Sequence, residues 1–74
     1  MAQHRDEKAI AVLAKNVQKY RIQKGLTQEA LANLCGFEYS QISRLERGLL
    51  NTSVSVIFTL ASKLDVTPGA LFED

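Results

Sequence analysis

Between Thr27 and Gly48 two short helical periods run almost back to back with one glycine-centred break between them, and few folds accept that spacing. Ala30, Leu31 and Leu34 recur at helical intervals. Thr27, just ahead of them, is a good N-cap because its hydroxyl can accept from a backbone N–H of the first turn. Gly36 takes positive φ without steric cost, so the first period ends there. The second period places Ile42 and Leu45 three apart and inward, and Gly48 closes it. Tyr39, Ser40, Gln41, Ser43, Arg44 and Arg47 are left on the outside. All can donate hydrogen bonds and most can accept, which suits base edges and phosphates. The pattern predicts two helices around a tight turn, the polar face of the second free to enter a DNA groove.

With 74 residues the chain has room for one domain, expected over 1–74 with an ordered core from about 6 to 73. A hydrophobic share of 46% suffices for a core, which argues against disorder. No apolar run approaches the ~20 residues of a membrane span. The N-terminus is polar and charged, without the apolar stretch of a secretory signal, so a cytoplasmic location is expected. A single cysteine, Cys35, can form neither an internal disulfide nor a structural zinc site. No cofactor or metal is expected.

The formal net charge is only +1, but it is unevenly spread. Residues 1–48 carry eight Lys/Arg against five Asp/Glu, whereas residues 49–74 carry one against three. The basic excess lies in the part of the chain that contains the two-helix segment. It is small, so modest non-specific affinity for DNA is expected, with specificity carried by a few contacts.

Elsewhere the chain shows no repeat, low-complexity segment or linker. Residues 1–5 are expected to fray. From about Asp6 to Lys24 an amphipathic helix stacks Ile10, Leu13, Ala14, Val17 and Tyr20 or Arg21 on one face, and Gly25 ends it. Leu26 packs back before a second helix, about Gln28–Cys35, and a third from about Tyr39 to Arg47. Leu49 to Thr52 form a loop with two leucines that look exposed. Ser53 is a suitable cap for a fourth helix to about Leu64, burying Val56, Ile57, Leu60, Ala61 and Leu64. Thr67-Pro68 places a cap before a proline at the first helical position, predicting a short fifth helix that ends near Phe72. The fold expected is all-α, with five helices and a helix-turn-helix at helices 2–3.

These residues resemble the lambda-repressor-like, or Xre-type, helix-turn-helix family. The likeness is carried by Arg21 four before Gly25-Leu26-Thr27-Gln28, then Leu31-Ala32, Gly36, the run Ser40-Gln41-Ile42-Ser43-Arg44-Leu45-Glu46-Arg47-Gly48, and Ala61 and Leu64 to Leu71-Phe72. It spans about residues 10–73. The resemblance implies a five-helix fold, a homodimer and a short inverted-repeat operator. A free-standing domain this small is most similar to the controller proteins of restriction–modification systems or to compact phage-type repressors.

The resemblance also assigns roles. It makes Gln28 a clamp on the DNA backbone at a helix start, where N–H groups attract phosphate; the alternative is ordinary solvation of the helix end. Tyr39, Ser40 and Arg44 fall where this family reaches base edges, and an arginine there can bond guanine O6 and N7 together. Tyr39 could pack on a thymine methyl or a sugar, or cover core surface instead. Ser43 could contact a base or merely let the helix approach. Gln41 and Arg47 flank the reading face and suit phosphates, as do Asn51 and Thr52 in the following loop. Arg21 and Glu46 are expected as a structural ion pair rather than as binding residues.

Glu38 could favour the start of the third helix or accept from a cytosine amine. Cys35 is expected as an inert thiol on the buried face, with a redox role as the alternative, and His4 has no partner in view. Leu49, Leu50, Val54, Phe58, Leu71 and Phe72 exceed what so small a core should absorb, and a two-fold interface would use them. The alternative places Phe58 and Phe72 in the core.

The function expected is that of a homodimeric, sequence-specific DNA-binding transcriptional regulator, with the recognition helix in the major groove. Within the DNA-binding class the alternative is an antitoxin-type repressor bound to a co-expressed toxin-like protein. From another class it is a protein-interaction scaffold, which would have no need of Gln28, Gln41, Arg44 and Arg47. RNA polymerase is a further conceivable partner. No membrane association and no catalysis are expected, since no nucleophile–base pair, metal-ligand spacing or phosphate-cradling glycine loop is present.

Overall fold

A computed structural model describes residues 4–74. Of the tail expected to fray, residues 1–3 lie outside the described residues, whereas His4 and Arg5 lie within them. The described residues form four α-helices and a closing turn: α1 (Glu7–Gln23), α2 (Gln28–Cys35), α3 (Tyr39–Glu46), α4 (Val54–Lys63) and a 3-10 turn over Pro68–Phe72. The fifth element is therefore not the α-helix expected. Pro68 and Gly69 occupy its first two positions and it runs for only five residues, too few to repay α-helical nucleation.

Local chemistry sets each start. Asp6, Thr27, Ser53 and Thr67 all hold extended backbone and accept a hydrogen bond from the N–H three residues on, that of Ala9, Ala30, Val56 and Ala70 respectively. Each such cap contributes about 1 kcal/mol. α3 differs, because Glu38 at its cap makes no side-chain bond to the helix.

The ends repeat one design. At the turn between α2 and α3, Gly36 has φ +75° and the Phe37 N–H reaches back to the Ala32 carbonyl at 2.9 Å. This closes orphan carbonyls that the helix leaves open. α4 ends the same way without a glycine: Asp65 takes φ +58°, and the Val66 N–H bonds the Ala61 carbonyl at 3.0 Å.

The core lies where the helices converge on Leu13, Val17, Leu31, Ala32, Ile42, Leu45, Leu60, Ala61, Leu64 and Leu71. Ile10 and Ala14 are buried on the α1 stripe as well, and Tyr20, Leu26, Val56 and Ile57 pack on the core partly covered. Two apolar assignments change. Leu34 is 50% exposed, and the α2 face turned inward is Leu31-Ala32 with Cys35 at its edge. Leu71, expected at a subunit interface, is wholly buried inside the domain.

The core also holds a polar residue that the sequence does not advertise. Asn16 is 2% exposed, and its amide nitrogen donates to the Leu71 carbonyl at 3.0 Å and the Glu73 carbonyl at 2.7 Å. One side chain on α1 thereby ties down the C-terminal segment. Lys24 pairs with Asp65, joining the end of α1 to the turn after α4. The Lys24 ammonium holds the Asp65 carboxyl below its ordinary value by hydrogen bond and charge.

Candidate nucleic-acid interface

α3 is divided by burial. Ile42 and Leu45 are buried in the core, while Tyr39, Ser40, Arg44 and Arg47 are exposed and Gln41 and Ser43 lie half-covered at the margins. Ile42 and Leu45 therefore anchor the helix by one stripe and leave its outer face polar and cationic. The Arg47 Nε–H folds back on the Ser43 carbonyl at 3.4 Å. Tyr39 is 53% exposed, which sets aside the reading that it covers the core.

Tyr39 faces an open cleft shared with Arg21, Thr27, Gln28 and Glu29, so the starts of α2 and α3 border one surface. Beneath it lies a compact network. The Glu46 side chain is 2% exposed and that of Arg21 12%. Arg21 donates through Nε to Glu46 Oε2 at 2.7 Å and through Nη2 to Oε1 at 2.9 Å, a two-pronged pairing. Its Nη1 donates to the Leu26 carbonyl at 2.8 Å. The Glu46 hydrogen bond raises the Arg21 pKa above its already high ordinary value, against the opposing effect of burial. Gln28 joins the network, its Nε2 donating to Glu46 Oε1 at 3.0 Å.

Other residues singled out in the sequence fall elsewhere. Asn51 and Thr52 line a small groove with Ala9, Ile10, Leu13, Leu50, Ile57 and Phe72, away from the Gln28–Tyr39 cleft. One Asn51 amide hydrogen is committed to the His4 carbonyl at 2.9 Å, not free for a phosphate. Leu50 is half-buried and packs on the core. Leu49, Val54, Phe58 and Phe72 are exposed, between 44% and 69% of their area. Cys35 is partly buried, and burial pushes its thiol up, so it stays protonated at neutral pH. Among the described residues no cluster of His, Cys, Asp or Glu could hold a metal ion.

Sequence reasoning missed Asn16 and the tie between Gln28 and Glu46. Neither has a local signal: Asn16 meets carbonyls 55 and 57 residues away, and Gln28 meets a carboxylate 18 residues on.

A helix pinned by one apolar stripe across the end of another, with its outer face polar and cationic, defines a helix-turn-helix DNA-binding domain. Residues 17–71 match the HTH_3 helix-turn-helix family, and the chain belongs to it. Residues 17–71 thus form a helix-turn-helix domain of the kind that HTH-type transcriptional regulators carry. The chain is 41% identical over 56 residues to a hypothetical transcription factor of Neisseria meningitidis, the match covering 76% of this chain and 53% of that protein. It thus spans about half the length of that relative.

In structure it is similar to the restriction-modification controller protein C.AhdI from Aeromonas hydrophila, with TM-score 0.82 and 38% identity, covering 85% of this chain and 96% of that one. It is also similar to SinR, the master regulator for biofilm formation, in a structure in complex with DNA, with TM-score 0.79 and 29% identity, covering 82% of this chain and 98% of that one. Among the described residues no helix is long and apolar enough to cross a membrane.

Proposed function

We propose that this protein acts as a homodimer on a short inverted-repeat operator, each subunit laying α3 in the major groove, in the manner of a restriction–modification controller. The observation that carries this reading is the division of α3: Ile42 and Leu45 hold the helix rigidly by one side, and Tyr39, Ser40, Ser43 and Arg44 occupy the side left to a partner. In this reading those four meet base edges. Gln28, Gln41 and Arg47 meet phosphates and set the register. Thr52 belongs to the same phosphate-contacting set, and Asn51 can join it only through its second amide hydrogen. Two-fold pairing is supported by Leu49, Val54, Phe58 and Phe72, which one subunit leaves exposed. Half-sites would then lie about one helical turn, ~34 Å, apart.

The test separates base reading from phosphate holding. Arg44→Ala should lose roughly 1–3 kcal/mol on its operator and little on random DNA, relaxing specificity with the fold intact. Arg47→Ala should weaken both alike and make the slope of log affinity against log salt shallower by about one. Fluorescence anisotropy across a salt series reads both. Equal damage to operator and random DNA from Arg44→Ala would remove Arg44 from the reading face.

A further inference from the structure

Gln28 stands at the first position of α2, at the mouth of the cleft that it shares with Arg21, Thr27, Glu29 and Tyr39. A glutamine at a helix start ordinarily samples several rotamers, and fixing it on a ligand costs entropy. Here it is already held. Its Nε2 donates at 3.0 Å to Glu46 Oε1. That carboxylate cannot yield, because it is 2% exposed and gripped by Arg21 Nε and Nη2 at 2.7 and 2.9 Å. Arg21 is in turn anchored through Nη1 to the Leu26 carbonyl at 2.8 Å.

The chemistry of the two groups sets the orientation. An ionised carboxylate only accepts, so the amide must turn its nitrogen, not its oxygen, inward. One N–H is consumed and the second remains as a free donor. Thr27 Oγ1 takes the Ala30 N–H at 3.0 Å, while the backbone N–H groups of Gln28 and Glu29, at the first two positions of α2, have no acceptor within the helix. Those two donors and the amide suit an anion. The buried carboxylate lies near that position without a net charge, since Arg21 neutralises it.

We infer that Glu46 is a positioning residue: besides bracing α1 against α3 through Arg21, it orients the Gln28 amide for donation to a DNA phosphate. The inference rests on the proposed role of Gln28 as a backbone contact. It converts the Arg21–Glu46 pair from a purely structural brace into part of the interface's preorganisation.

A double-mutant cycle tests it, with affinity for a short random-sequence duplex measured at low salt. Gln28→Ala should weaken binding about tenfold, the loss of one hydrogen bond to a charged group. Glu46→Gln introduces an amide that can also donate, so Gln28 is free to flip, and binding should weaken several-fold. In the Gln28→Ala background the same Glu46→Gln change should alter affinity by less than about twofold, since nothing is left to orient. An equal Glu46→Gln penalty in both backgrounds would overturn the inference, as would a Gln28→Ala protein that binds like wild type.

Glu46→Gln leaves Arg21 partly unpaired and could fail to fold, so a measurement on the unaltered protein stands beside it. NMR relaxation of the Gln28 side-chain amide in the free protein should show order near that of the backbone, unlike the exposed Gln18 and Gln23. A Gln28 amide as mobile as those two would overturn the inference. Wild-type protein that binds no duplex at all would overturn the DNA-contact reading and this inference together. Binding with an uncoupled cycle would overturn the inference alone.

Discussion

Gly36 sits at φ +75°, and a Cβ built there would meet nothing within 4 Å. Gly36→Ala would therefore cost backbone strain alone, about 1–2 kcal/mol. The expected result is a lower urea midpoint with unchanged DNA affinity per folded molecule; lost affinity in a folded variant would show that the turn geometry itself had moved. Glycine at this turn was legible in the sequence because glycine takes positive φ between two helices without steric cost. Leu71 shows the opposite case. An apolar residue near the end of a short helical element looks surplus to the core, and only the fold reveals that it is buried beside Asn16. Leu34 errs in the other direction. Its spacing from Leu31 fits a helix stripe, yet the core meets α2 on the Leu31-Ala32 side and leaves Leu34 outside.

At the scale of elements, the starts of α1, α2 and α4 follow from a polar cap ahead of an apolar period, which is why their positions could be read locally. The 3-10 turn could not be typed that way. Its cap Thr67 and Pro68 announce a helical start of either kind, and whether α or 3-10 geometry follows depends on how far the element runs, which is only five residues. Asn16 ties that turn to α1 through two carbonyls. Asn16→Ala would strand the buried Leu71 carbonyl and release the Glu73 carbonyl, costing about 2–4 kcal/mol. Urea denaturation should report that loss. Hydrogen exchange should show residues 70–74 opening well before the α2–α3 pair. A stability loss below about 0.5 kcal/mol would show that the tether is not an anchor.

Across the whole molecule, six of the nine Lys and Arg lie between Arg5 and Lys24 and two, Arg44 and Arg47, on and just after α3, while Leu49, Val54, Phe58 and Phe72 join Ile22 and Leu34 among the exposed apolar residues. Phe58 is 58% exposed, so Phe58→Ser should leave the isolated fold nearly as stable while raising the dimer dissociation constant. Sedimentation equilibrium and thermal melting measured together would check this; a variant that unfolds would place Phe58 in the core. The polar outer face of α3 was legible because it follows from the spacing of Ile42 and Leu45 alone. Which apolar residues stay exposed was legible only in part, since that depends on which of them the core takes first.

The central claim, that the outer face of α3 reads sequence from a two-fold dimer, is tested most directly by selection of bound duplexes from a random DNA pool at near-physiological salt, followed by sequencing. An enriched inverted repeat with half-site centres about one turn, ~34 Å, apart is the predicted result. Folded protein that enriches no sequence would contradict the claim.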